Sequence, residues 1–133
     1  MNEDMIRKFE LTIPVERSIQ AELLLLLGQR PSHGYELIQR LNEADFKSAE
    51  ADAATVYRNL RRMDKDGLIR SHWEVGESGP GRRQYKLTPQ GDESLKLWFQ
   101  YIVQQKTKLE NFLQAYCEYE ESSSKRKDGV NKP

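Results

Sequence analysis

The chain has 133 residues, 37% of them hydrophobic and 32% charged, which suits one domain with a small core and a well-solvated surface. Folding at this size buries roughly two-thirds of the unfolded surface, so an apolar contact with a second chain is a natural supplement. The longest apolar run, Leu23 to Leu27, is too short to span a membrane, and Met1-Asn2-Glu3-Asp4 lacks the basic-then-apolar layout of a secretion signal. A lone cysteine, Cys117, excludes an internal disulfide framework and any CxxC metal site. The expectation is a reduced, cytoplasmic protein without cofactor, metal or membrane contact.

Basic and acidic residues number 21 each, a formal net charge of zero. The charge is nevertheless segregated. Between Thr55 and Thr88 stand Arg58, Arg61, Arg62, Lys65, Arg70, Arg82, Arg83 and Lys86 against Asp64, Asp66, Glu74 and Glu77. Between His33 and Asp52 the balance reverses, with Glu36, Glu43, Asp45, Glu50 and Asp52 against Arg40 and Lys47. A local basic surface therefore lies behind the global zero and keeps a nucleic-acid partner open.

In chain order, residues 1–16 are weakly periodic and broken by Pro14, which reads as a loosely attached arm. Arg17 to Leu27 places Ile19, Leu23, Leu26 and Leu27 at helical spacing, with Gly28 as C-terminal cap and Pro31 closing the helix. Ser32 then caps a second helix whose Tyr35, Ile38 and Leu41 form one face, followed by a polar loop from Asn42 to Ala51. A third helix starts near Asp52 or Ala53. Its Val56, Leu60 and Met63 point inward, Gly67 ends it, and Thr55, Arg58, Arg62 and Lys65 occupy the opposite face beside Asn59 and Arg61.

The period then changes to two. Ile69, Ser71, Trp73 and Val75 alternate with Arg70, His72 and Glu74, a half-buried strand. Gly76 to Gly81 is a glycine- and proline-rich turn, and Arg83, Tyr85 and Leu87 alternate on a returning antiparallel strand. Thr88-Pro89 is a capping hydroxyl followed by proline at the first helical position. The helix it opens carries Leu95, Trp98, Ile102, Gln105, Leu109, Phe112, Tyr116 and Tyr119 in alternating steps of 3 and 4, a heptad seam interrupted only by Gln105. From Ser122 the string Ser-Ser-Ser-Lys-Arg-Lys-Asp-Gly has no apolar content and reads as the start of a disordered tail over 122–133.

These elements describe a mainly α fold with a small β-hairpin: a winged helix-turn-helix over residues 17–88 and a dimerisation helix over 89–121. An α-helix fits the major groove of B-DNA, and the third helix offers it Thr55, Arg58, Arg61, Arg62 and Lys65. Gly79-Pro80-Gly81-Arg82-Arg83 puts two guanidiniums at the end of a wing, where they can meet a phosphate or enter a minor groove. Leu95, Trp98, Ile102, Leu109, Phe112 and Tyr116 are the candidate dimer contacts. Enzymatic readings find no support, because the two histidines lack metal-ligand spacing and neither a G-x-S-x-G elbow nor a G-x-x-x-x-G-K-[ST] loop occurs.

Four strings, His33-Gly34-Tyr35-Glu36-Leu37, Thr55-Val56-Tyr57-Arg58-Asn59-Leu60-Arg61-Arg62-Met63, Gly67-Leu68-Ile69 and Gly79 to Gly91, together resemble the PadR family of bacterial transcriptional regulators. The resemblance runs from about Ile19 to Gly91, and the single long C-terminal helix is similar to the short PadR subgroup, some of whose near relatives are polyhydroxybutyrate-responsive repressors. It implies a homodimeric repressor, released by an effector, on a double-stranded DNA operator. It also implies a third helix in the major groove, with Tyr57 close to DNA, and a wing on the backbone. In related short regulators a hydrophobic pocket between the C-terminal helices takes planar molecules, which here points to Trp98, Phe99, Tyr101 and Ile102. One departure from the family pattern is Asp52-Ala53-Ala54 before the Thr-Val-Tyr string, where many members have Pro, Gly or Ser; Asp52 is read as the cap. The rival reading is a winged-helix protein-interaction module without sequence-specific DNA binding, which a weak salt dependence of DNA affinity would reveal.

Overall fold

The computed structural model describes residues 3–5, 19–74 and 81–130, with side chains as far as Arg126. Most of the expected arm, Val75 to Pro80 of the expected wing turn and residues 131–133 of the expected tail lie outside the described residues. The chain divides into two units, residues 1–96 and 97–133.

The first unit contains helix α1 (Ile19–Gln29), strand β1 (Ser32–His33), helices α2 (Gly34–Glu43) and α3 (Ala53–Lys65), strands β2 (Ile69–Glu74) and β3 (Arg82–Leu87), and the start of helix α4 (Pro89–Val130). The strands form one antiparallel sheet in the order β1-β3-β2, with Ser32 opposite Tyr85 and Ile69 opposite Leu87. The hairpin expected from the sequence thus gains a third strand. Two residues are too few to show a period, and Ser32 sits fully buried in that strand instead of capping α2. His33 is the N-cap of α2, its N–H donating to Glu36 Oε1 at 3.1 Å.

The core consists of Leu23, Leu24, Leu26 and Leu27 of α1, Leu37 and Leu41 of α2, Val56, Leu60 and Met63 of α3, and Ile69 and Tyr85 of the sheet. The inward face of α2 therefore runs through Gly34, Leu37 and Leu41, with Ile38 half-buried; Tyr35, expected inside, is 50% exposed. Arg40 ties α2 to its neighbours, donating to Ser32 Oγ at 2.6 Å and to the Leu26 carbonyl at 2.9 Å. That carbonyl, near the end of α1, also accepts from the Arg30 N–H at 3.2 Å. Helix α1 runs to Gln29, so Gly28 lies within its last turn and is not the cap.

The polar stretch between α2 and α3 is held by its own side chains. Asn42 and Ala51 exchange two bonds of 3.1 Å, and the buried Glu22 accepts from the Ser48 N–H at 2.6 Å. Asp52 caps α3 as expected, accepting from the Thr55 N–H at 2.8 Å. At the other end Gly67 has φ 80, and the bonds Leu68 N–H to Met63 O and Gly67 N–H to Asp64 O, at 2.9 and 3.1 Å, complete a Schellman stop. Thr88 joins this stop to α4. Its hydroxyl donates to the Gly67 carbonyl at 2.6 Å and accepts from the Gly91 N–H at 3.0 Å. A Cβ on Gly91 would lie 2.0 Å from the Leu68 carbonyl oxygen, so only glycine permits this approach.

In the second unit α4 continues to Val130, past the expected end at Glu121. Ser, Lys and Arg extend an existing helix at low cost, so the lack of apolar residues from Ser122 to Gly129 does not stop it. Leu109, Phe112, Tyr116 and Tyr119 are each more than half exposed on the single chain.

Two outcomes test these contacts. Gly91→Ala lowers unfolding stability by about 1–3 kcal/mol through overpacking. Gly28→Ala, whose added Cβ would meet only Leu95 and Leu87 side chains at 3.5 and 3.6 Å, raises it by about 0.5–1 kcal/mol. Denaturant titration of both variants checks the contrast, and equal effects would refute the close approach at Leu68. The second outcome concerns Asp52, whose carboxyl Thr55 holds below the usual range through side-chain and then backbone hydrogen bonding. A carboxylate with a depressed folded pKa stabilises above its unfolded pKa and loses that contribution as pH falls through the folded value. Asp52→Ala is therefore less stable than the parent at neutral pH, with the gap closing below the ordinary carboxylate range, while Asp52→Asn keeps most of the cap. Thermal midpoints across acid pH would show a constant gap if Asp52 does not cap α3.

Candidate nucleic-acid interface

Helix α3 carries its two properties on opposite sides. Val56, Leu60 and Met63 have no exposure at all, whereas Arg58, Arg61, Arg62 and Lys65 are exposed. Steps of three and four residues keep those four cations within one stripe. Among the described residues none of Arg58, Arg61 and Lys65 forms a salt bridge, and Arg62 reaches Asp66 only at 4.0 Å while 76% exposed. So open an ion pair is worth little, and the stripe remains available to an anion. Thr55 is half-buried at the start of the helix, its carbonyl accepting from Asn59 Nδ2 at 2.8 Å.

Tyr57 is half-buried for a reason the apolar spacing does not contain. Its ring lies against Gly34, where an added Cβ would be 2.4 Å from Tyr57 Cε1. Helices α2 and α3 thus meet through a glycine and an aromatic ring.

The hairpin sorts its arginines. Ile69, Ser71 and Trp73 share a face with their partners Leu87, Tyr85 and Arg83, and Arg70, His72 and Glu74 share the other with Lys86, Gln84 and Arg82. Ser71 Oγ donates to Asp64 Oδ2 of α3 at 2.8 Å, so the first face is the one turned to α3. Arg83 lies on that side with its guanidinium 5.7 Å from the Trp73 ring centre, and Trp73, expected inside, is 65% exposed. Beyond the helical core no described residue buries it. Arg82 lies on the opposite side, where Nη1 donates to the Tyr35 hydroxyl at 2.8 Å. On this outer face Arg70 and Lys86 stand directly opposite each other, both exposed. Like charges so placed repel unless an anion lies between them.

Sequence reasoning passed over the contacts that His33, Tyr35 and Trp73 make with the wing side chains Glu74, Arg82 and Arg83. His33 Nδ1 is 2.5 Å from Glu36 Oε1 and Nε2 is 3.0 Å from Glu74 Oε2; the Nδ1 bond, and then the bond from the His33 backbone N–H, hold the Glu36 carboxyl below its ordinary range. Only the spacing of His33 and Glu36 was a local signal; Glu74 is distant in sequence.

The remaining candidates lie along α4. Leu95, the first residue of the expected seam, belongs to the first unit and is half-buried near Gly28, so it packs within the winged unit. Trp98 is half-buried and meets Tyr101 edge-on at 5.9 Å, Ile102 is 38% exposed and Phe99 67%. Among the described residues no group of His, Cys, Asp or Glu could hold a metal ion, and no helix is long and apolar enough to cross a membrane.

Comparison with known proteins gives this architecture a family. A PadR-like transcriptional regulator from Bacillus cereus is 30% identical with a TM-score of 0.62, over 72% of this chain and 91% of that one. A PadR family regulator from Clostridium difficile is 27% identical with a TM-score of 0.63, over 71% of this chain and 97% of that one. Bacillus subtilis PadR, solved in complex with operator DNA, shares the fold at 22% identity and a TM-score of 0.57, over 62% of this chain and 47% of that one. Residues 23–97 match the transcriptional regulator PadR-like family, a span holding α3, the hairpin and the Thr88 junction, and the chain belongs to that family.

Proposed function

We propose that the chain is a cytoplasmic homodimeric repressor that lays α3 in the major groove of an operator and sets its wing on the flanking backbone. The observation that carries this is the division of α3, an unexposed apolar row on one side and four exposed cations on the other. Thr55, Tyr57, Arg58, Arg61, Arg62 and Lys65 make the groove contacts, and Arg82 and Arg83 the wing contacts. The operator complex of Bacillus subtilis PadR supports this use of the shared fold. Two copies of α3 reach successive major grooves, about 34 Å apart, on a pseudo-palindromic site.

The second copy is bound through α4. Ile102, Leu109, Phe112 and Tyr116 offer an exposed apolar row that a soluble chain does not keep uncovered, with Trp98 at its start. A small planar, hydrophobic effector held by Trp98, Phe99, Tyr101 and Ile102 of the two copies would alter the spacing of the winged units and so release DNA.

Arg58→Ala and Arg62→Ala test the groove assignment, because both side chains are exposed and their loss leaves the fold intact. A lost base contact costs about 1–3 kcal/mol and relaxes specificity at one position. A lost phosphate contact weakens all sequences alike and lowers the salt slope by about one. Parental binding to promoter fragments by both variants would remove α3 from the interface. The seam is tested by Ile102→Glu and Leu109→Glu, each of which buries an unpaired charge at a cost of several kcal/mol. Sedimentation should find monomers or aggregates that no longer hold DNA; a dimer with normal DNA affinity refutes the seam.

A further inference from the structure

The string His33-Gly34-Tyr35-Glu36 contributes no DNA contact in the reading above, yet it touches both DNA-facing elements. Toward the wing, Tyr35 accepts from Arg82 Nη1 at 2.8 Å and lies under its guanidinium, 5.5 Å from ring centre to Cζ. The His33 ring stacks on Tyr35, with centres 5.8 Å apart and planes 13° from parallel. His33 Nε2 reaches Glu74, which faces Arg82 across the hairpin ladder. Toward α3, Gly34 is the seat of the Tyr57 ring.

We propose that the first turn of α2 is a positioning element that sets the wing relative to α3, with Tyr35 acting through Arg82 and His33 through Glu74. Tyr35 is 50% exposed, so it adds little to the core, and its ring and hydroxyl are used by Arg82 of the wing and the neighbouring His33. A free arginine loses rotamer freedom when it docks on a phosphate. One already held by a ring below and an acceptor at its edge has lost much of that freedom beforehand, and its other donors stay available. The inference rests on the reading of the chain as a DNA-binding protein with Arg82 as a wing contact.

A double-mutant cycle on the full-length chain tests it, using a mixed-sequence duplex of about 30 base pairs, long enough for two major grooves one turn apart. Tyr35→Ala should weaken binding about two- to tenfold, the cost of restoring one side chain's freedom. Tyr35→Phe keeps the ring and loses the acceptor, so it should fall between Tyr35→Ala and the parent with an unchanged thermal midpoint. In an Arg82→Ala background, Tyr35→Ala should have no further effect, because its action passes through the missing guanidinium. Additive losses, or parental affinity for Tyr35→Ala, overturn the positioning role while leaving the DNA-binding reading intact. Parental affinity for Arg82→Ala removes both the wing contact and the positioning role that depends on it. Failure of the parent chain to bind duplex DNA at low salt overturns the underlying reading and this inference together.

Discussion

The rotation of α3 about its own axis decides what the rest of the winged unit presents to solvent. Val56, Leu60 and Met63 are entirely removed from water, and three such anchors over two turns leave the helix no freedom to roll. Once they are fixed, the positions of Arg58, Arg61, Arg62 and Lys65 follow from helical geometry alone. The cations need no structural partner to hold the stripe together. Their direction is set by apolar side chains on the far side of the backbone, so binding strength and fold stability are separable in this element.

The two ends of α3 extend this constraint to its neighbours. At its start the Asp52 cap is preceded by a loop that Asn42, Lys47 and Glu22 hold by side-chain bonds to backbone groups. At its end the Schellman stop, the Thr88 hydroxyl and Gly91 bring α3, the hairpin and the start of α4 to one point. The Ser71–Asp64 bond then fastens β2 to the last turn of α3. The base of the wing is therefore tied to α3 at two places, which fixes the hairpin relative to that helix.

Local rules account for what the sequence revealed. Helix α3, its Asp52 cap, its Gly67 stop, the alternation of the two hairpin strands and the Thr88-Pro89 start each depend on residues within a few positions of one another, where spacing and capping chemistry are visible. The misread features depend on distant partners. Ser32 leaves the cap role because Tyr85, far along the chain, offers it a strand. Tyr35 turns outward because Arg82 waits there, and Leu95 packs near Gly28 because the start of α4 returns to the winged unit. Burial of Glu22 was invisible because its acceptor role serves Ser48, in a loop without periodicity. Trp73 failed for the opposite reason: alternation placed it on the inner face correctly, but among the described residues no core extends that far along the hairpin.

The zero net charge takes on physical meaning once each acid is followed to its partner. In the stretch from His33 to Asp52, Glu36 is held by His33, Glu50 by Lys47 and Asp52 by the α3 backbone, so these carboxylates are tied locally. Asp64 accepts from Ser71 and Asp66 stands beside Arg62. Among the described residues Arg58, Arg61 and Lys65 of α3 and Arg70 and Lys86 of the outer hairpin face form no salt bridge, and Arg70 and Lys86 are even set against each other. A chain whose charges cancel in total can thus project a one-signed field from one surface, because exposed cations without acidic partners are gathered there while the acids lie mostly elsewhere. Such a field is short-ranged in physiological salt, where screening acts over about 8 Å. Beyond that distance the molecule is neutral, so nonspecific attraction to polyanions is weak, and the basic face acts only where the shape of the helix and wing lets phosphates approach it closely.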